Sequence, residues 1–252
     1  MDWGRAKSVL IFAFLLLNVL LGYNIWTDVR EGLYESVDSA ELPPDKLQLM
    51  QQKRISLAAN LPIHTPELAD LTYILRGHHD GGIKKVKLAH PVNSALVFSK
   101  TELVKELSDQ IDDLNKYVYD LPSSRDGVFV LYRTVDGYPM FNVKLELFNS
   151  NLKITGFQQE RMELVSTGEA KQVIPASKII ASLIETYLED GTTISDIQLG
   201  YHGQVFDSDK QVSAPTWRVM LEDGKVFYVN AISGEVTTDA VEQSVGFDEV
   251  KQ

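Results

Sequence analysis

APTWRVMLEDGKVFYVNAISGEV, residues 214–236, divides into two β-rich runs around Glu222-Asp223-Gly224, and a Ser233-Gly234 turn then leads into EVTT. An Asp-Gly pair between apolar runs is the chemistry of a tight antiparallel connection, because glycine takes the positive φ that such turns demand. Trp217, Phe227 and Tyr228 lie inside the runs. Aromatic and β-branched side chains suit a half-buried pleated surface, so core packing explains these rings better than a sugar-stacking platform.

Upstream, Pro175 and Ala176 open a helix whose apolar stripe is Ile179, Ile180, Leu183, Ile184, Tyr187 and Leu188; Gly191 and the run TISDIQLGYHG follow. The preceding part has the same order. Thr101 is placed to cap a helix carrying Leu103, Leu107, Ile111 and Leu114 at three- and four-residue steps. After Pro122 come GVFVLYRT, VDGYP, MFNVKLELF, Asn149-Ser150-Asn151 and LKITGFQQERMEL, which read as an antiparallel meander with turns at Asp136-Gly137 and the Asn-Ser-Asn triplet. Before that helix, LTYILRG is a strand, His78-His79-Asp80-Gly81-Gly82 a loop, and KKVKLAHPV and ALVFSK half-alternating runs. Helix followed by strands, twice, predicts an α+β class with two helix-plus-antiparallel-sheet units, residues 63–170 and 171–240.

Residues 28–62 read as a polar, helical connector. Pro43-Pro44 breaks it, Asp45 serves as N-cap for a run to Asn60, and Leu47, Met50, Arg54, Leu57 and Leu61 recur at helical spacing before Pro62 and Pro66. It is either a stalk or a helix packed on the outer units. Residues 241–252 form a polar tail.

The N-terminal segment has a different solvent in mind. Twenty uncharged residues, SVLIFAFLLLNVLLGYNIWT, separate Lys7 from Asp28. At about 1.5 Å per residue they span about 30 Å, a hydrocarbon core. Tyr23 and Trp26 stand near the far end, where amphipathic rings favour the interface. Residues 1–27 carry net charge +1 and the remainder −12. The positive-inside rule therefore puts residues 1–7 in the cytoplasm, a single transmembrane helix at 8–27, and the rest outside the cell membrane. The competing reading is a cleaved signal peptide, but the run is long and its exit, Gly22-Tyr23-Asn24-Ile25-Trp26, offers no small-x-small site. Within the span, Asn18 and Gly22 share a face with Phe14, Leu15 and Ile25. A mid-membrane amide seeks a partner and a glycine admits a second backbone, so this face is the candidate partner-binding surface; a plain anchor is the alternative.

The 252 residues include no cysteine, which excludes a disulfide scaffold, a thiolate metal site and a cysteine nucleophile. A net charge of −11 argues against nucleic acid, whose phosphates need clustered lysine and arginine. G-x-S-x-G, H-E-x-x-H, G-x-x-x-x-G-K-[ST] and G-x-G-x-x-G are all missing, so no catalytic, metal or cofactor residue is assigned. His78-His79-Asp80 is the best metal fragment, but adjacent side chains on an extended chain point apart. Asp109, Asp112 and Asp113 lie opposite the Leu103/Leu107/Ile111 stripe, as a solvated face does. A wall hydrolase would need two carboxylates across a cleft, and a ligand- or peptide-binding sensor would need a pocket.

Trp217, Asp223-Gly224, Tyr228-Val229-Asn230-Ala231 and Gly234-Glu235 resemble the closing hairpin of PepSY-like modules. Met1-Asp2-Trp3, Lys7, Phe14-Leu15 and Leu17-Asn18 resemble the start of the YycI (WalI) family. The resemblance implies an auxiliary, non-enzymatic regulator of the WalK/WalR (YycG/YycF) two-component system, which controls cell-wall metabolism. It also implies contact with the sensor histidine kinase WalK through the membrane helix and the outer region, together with a YycH-like partner.

Overall fold

The computed structural model describes Phe14 and residues 42–76, 83–204, 206 and 208–238. Helix α1 (Pro44–Gln52) begins at a proline, which fits the first turn because its missing N–H needs no partner there. It ends early: Arg54 adopts φ 56°, a left-handed conformation that stops the helix, and Ile55 turns inward. Strands β1 (Ser56–Leu57), β2 (Glu67–Leu68), β3 (Leu71–Arg76) and β4 (Val86–Asn93) follow. A 3-10 turn, Ser94–Phe98, leads into α2 (Lys100–Leu107), whose N-cap Ser99 accepts from the Glu102 amide. Another 3-10 turn, Leu114–Lys116, precedes β5 (Tyr117–Arg125), β6 (Val128–Val135), β7 (Tyr138–Ser150), β8 (Lys153–Gln159), β9 (Arg161–Thr167) and β10 (Lys171–Gln172). Helix α3 (Ala176–Thr186) then gives way to β11 (Thr193–His202), β12 (Lys210–Leu221), β13 (Val226–Asn230) and β14 (Val236–Thr238). The fold is α+β and dominated by sheet.

The strands run β14-β13-β12-β11-β7-β6-β5, with β8 and β4 continuing from β7, and β3 and β9 from the start of β12. Strand β7 is shared. It pairs with β6, then gains three residues at a register shift between Tyr132↔Lys144 and Arg133↔Met140, and meets β11 in parallel at Tyr201↔Met140. Such a bulge bends a strand and lets it leave one layer for another. The β8–β9 segment crosses as well, from β7 to β3.

Among the described residues three apolar clusters result: a small one of Val130, Tyr132, Phe141 and Tyr228, and two larger ones beneath the helices. Helix α3 buries Ile179, Ile180, Leu183 and Ile184 against Leu199, Trp217, Val219, Phe227 and Val229. Each fully buried side chain of this size contributes about 1.5–3 kcal/mol relative to exposure. The Trp217 indole donates to the Ile174 carbonyl at 2.8 Å, so burial leaves its N–H satisfied. The cluster beneath α2 packs Leu103, Leu107, Ile111 and Leu114 on Leu131, Leu145, Leu147 and Phe157.

Several sequence expectations change. The helix expected from Asp45 to Asn60 stops at Gln52, and Ser56–Leu57 pairs with β11. The cap is Ser99 rather than Thr101, and Ile111 and Leu114 lie beyond α2, which ends at Leu107; turns then lead to Asp113 at φ 55°, which starts the next 3-10 turn. ALVF is a 3-10 turn, not a strand. Strand β5 carries Pro122, which an edge strand tolerates where the register skips between Asp120 and Arg125. The turn after β7 falls on Asn151-Leu152, at φ 49° and 59°, two residues past the expected start. The chain-order division at 170/171 does not follow the packing: Leu71, Tyr73, Leu75, Met140, Val143 and Met162 all join the α3 cluster. Among the described residues no helix is long and apolar enough to cross a membrane; the segment 8–27 lies outside them apart from Phe14, as do the His78–Gly82 loop and the tail.

Candidate functional site

Of the five residues assigned to a membrane face, Phe14 is described, helical and exposed; Leu15, Asn18, Gly22 and Ile25 lie outside the described residues. Residues 42–238 show three features that the sequence reading did not single out.

The first is a buried cation. Strand β12 alternates, sending Trp217 and Val219 toward α3 and Arg218 to the opposite face. Arg218 is 1% exposed and donates to both oxygens of Asp120 at 2.9 and 3.0 Å, to Asp196 and Gln198 at 2.9 Å, and to Ser123 at 3.0 Å. Its guanidinium lies 4.7 Å from the Phe141 ring and 5.7 Å from Tyr132. Burial by itself would favour deprotonation, but the hydrogen bonds and charge of Asp120, with Tyr132 and Asp196, outweigh it and hold the side chain cationic. Asp120 sits on β5, four strand steps from β12. In a flat sheet that is about 19 Å. Direct contact therefore means that the sheet curls, and Arg218 fastens β5 to β11 and β12. An arginine inside the apolar run TWRVML was the available signal, because a mid-strand cation needs a buried partner.

The second is an open cleft of about 800 Å³ on the same face, beside the β11–β12 connection. Thr216, Ala214 and Asn230 form part of its lining, and His202 stacks on Tyr228 with centroids 3.8 Å apart. Asn142, projecting from the β7 bulge, accepts the Gly203 amide at 2.8 Å. A Cβ at Gly203 would collide with the Val212 carbonyl oxygen, so glycine is what lets the two strands close here.

The third is an aromatic cluster on the surface. Phe98, 70% exposed, stands edge-on to Tyr119 and Phe129 at 5.6 and 6.4 Å. Half-buried Tyr119 lies on β5, whose exposed apolar residues include Val118 and Leu121 and whose outer edge has no strand partner among the described residues. Exposed apolar side chains along an open edge invite another chain.

The other sequence candidates fall elsewhere. Trp217, Phe227 and Tyr228 are buried, as core packing requires. Asp112 pairs with Arg161, and Asp113 with Lys116 and Arg133, at the surface. Among the described residues no group of three histidine or carboxylate side chains is arranged to hold a metal.

An uncharacterized protein from Eubacterium rectale ATCC 33656, known from a crystal structure, aligns at TM-score 0.38 and 15% identity over 54% of this chain, and this chain spans 54% of that one. No curated protein matches the sequence. The YycI protein family matches residues 89–232, from within β4 to the turn after β13. That stretch exceeds half of the chain and includes Asp120, Asp196 and Arg218. The chain belongs to the YycI family.

Proposed function

We propose that this protein is a membrane-anchored, extracytoplasmic regulator that binds the sensor histidine kinase WalK together with a YycH-like partner. The observation that carries the reading is the family match over residues 89–232. In this reading residues 8–27 span the cell membrane with the N-terminus inside, and the α3–β11–β12–β13 unit is PepSY-like. The face of Phe14, Leu15, Asn18, Gly22 and Ile25 packs on the kinase helices, and the Phe98/Tyr119/Phe129 cluster is offered to the YycH-like partner.

A regulator shifts a kinase equilibrium only by binding one signalling state better than the other. A difference of about 1–3 kcal/mol is enough. Interhelical amide bonds and close backbone packing in lipid are of that size, about 0.6–2 kcal/mol each. The described connector supports a mechanical link to the outer region. Lys53 donates to the Ile184 and Leu188 carbonyls at 2.7 and 3.2 Å, at the end of α3, and β1 pairs with β11. Motion delivered through residues 28–41 would therefore reach α3 directly.

The test is capture of partners by tagged full-length protein in mild detergent, with mass spectrometry, beside kinase output in cells. Native protein is expected to bring down the kinase and the YycH-like protein. Asn18→Leu with Gly22→Leu is expected to reduce kinase capture at least tenfold. If both partners are absent under several detergents the regulator reading fails; if the double variant captures and signals as before, the helix is an anchor only.

A further inference from the structure

The cleft beside the β11–β12 connection has no task in the regulator reading. Its lining includes the carboxylates of Asp70 and Glu235 and the carboxamides of Asn142, Gln204 and Asn230, and among the described residues neither lysine nor arginine. Asp70 precedes β3 and Glu235 precedes β14, so the two carboxylates reach the cleft from separate elements. Its volume, about 800 Å³, is that of a small-ligand site. The walls are fixed from within: Asn142 holds the Gly203 amide, and Asn230 accepts the amides of Ile232 and Ser233 at 2.9 Å.

We propose that this cleft binds an alkylammonium group, with the carboxylates supplying charge and the Gln204 carboxamide oxygen and the Thr216 and Thr237 hydroxyls supplying further acceptors. Anions are disfavoured because no described lining residue except His202 can carry a positive charge. The chain's own tail is the wrong occupant on the same ground: residues 239–252 carry Asp239, Glu242, Asp248 and Glu249 against Lys251. The ammonium belongs either to a free polyamine or to lysine side chains of a peptide segment. Occupancy would bear on the buried cation, since His202 stacks on Tyr228, Tyr228 packs 5.8 Å from Phe141, and Phe141 lies 4.7 Å from Arg218.

The experiment is calorimetric titration of the full chain in neutral maltoside micelles with spermidine, acetyl-trilysine amide and acetyl-triglutamate amide. The expected result is saturable binding of at least one cationic probe and none of the glutamate peptide. Spermidine binding alone identifies a free polyamine as the ligand; peptide binding identifies a lysine-bearing segment. Asp70→Asn and Glu235→Gln, both at exposed positions, are each expected to weaken binding about tenfold, whereas Glu102→Gln on α2 leaves it unchanged. Failure of both cationic probes to bind overturns the proposal. So does equal weakening by Glu102→Gln, or none by the two cleft variants, because either result describes general attraction to an acidic chain. Kinase capture does not enter the readout, so failure here leaves the regulator reading standing.

Discussion

Helix α3 buries seven of its eleven residues, whereas α2 buries two of its eight. Both lie on sheet, yet they organise their surroundings differently. Around α3 the cluster draws in residues from β3, β7, β9, β11, β12 and β13. Around α2 much of the apolar surface comes from outside the helix: Val97 in the preceding 3-10 turn, then Ile111, Leu114 and Tyr117 after it. A helix with a complete apolar stripe gathers strands from both parts of the chain. A short helix with two anchors depends on irregular segments, and it leaves rings such as Phe98 in solvent.

Arg218 ties the two regions together, so its removal is the largest expected perturbation. Arg218→Met leaves Asp120 buried without its cation and is expected to cost about 3–5 kcal/mol of unfolding free energy. Asp120→Asn in the same chain is expected to return part of that loss, because the unpaired charge disappears with it. Urea unfolding followed by far-ultraviolet circular dichroism measures both. Two separated transitions in Arg218→Met would show that the cation is what makes the regions unfold as one. Unchanged stability would show that the curl of the sheet is held by Val130, Tyr132, Phe141 and Tyr228 alone.

The same contrast explains what could be read from the residues. Helix α3 and the hairpin after it were legible because every third or fourth residue is apolar and Asp223-Gly224 marks the turn. The meander was legible for the same reason at Asp136-Gly137. Helix α2 was overextended because Ile111 and Leu114 keep helical spacing and are buried, although the backbone has already left the helix; side-chain period cannot report that the helix ends at Leu107. Strand β5 was hidden by Pro122. The joining of β7 to β11, the crossing of β9 to β3 and the Arg218–Asp120 pair are contacts between residues far apart in the chain. No local pattern specifies them, and the cleft they frame was invisible for that reason. The membrane face was proposed from composition, and four of its five residues lie outside the described part of the chain.

A smaller effect separates the regions more cleanly. The Lys53 ammonium satisfies the Ile184 carbonyl in the last turn of α3 and the Leu188 carbonyl just past its end, where the helix dipole is negative. Lys53→Met is expected to cost about 1–2 kcal/mol. Amide hydrogen exchange is expected to quicken through the C-terminal turn of α3 and along β1 while α2 is unaffected. Equal acceleration in α2 would mean that the two clusters are more strongly coupled than their contacts suggest.

The smallest expected effect is on the alkaline side. Burial raises the phenol of Tyr201, in the α3 cluster, to about 12, and the charges of Asp136 and Asp70 push in the same direction. Burial also raises Tyr117, in the α2 cluster, but a hydrogen bond with Gln159 and the charge of Arg133 pull it back. A phenol raised in the folded state favours the protonated form. Its contribution is therefore complete below the unfolded tyrosine value of about 10 and is lost as pH rises toward the folded value. Stability is expected to be insensitive to these groups up to about pH 10 and to fall beyond it. Tyr201→Phe should flatten that fall, and Tyr117→Phe should flatten it less, since opposing partners already moderate Tyr117. Urea midpoints measured across the alkaline range for the two variants provide the comparison. If Tyr117→Phe proves the more protective, the electrostatic surroundings of the two phenols are the reverse of those described, and the α2 cluster is the drier of the two.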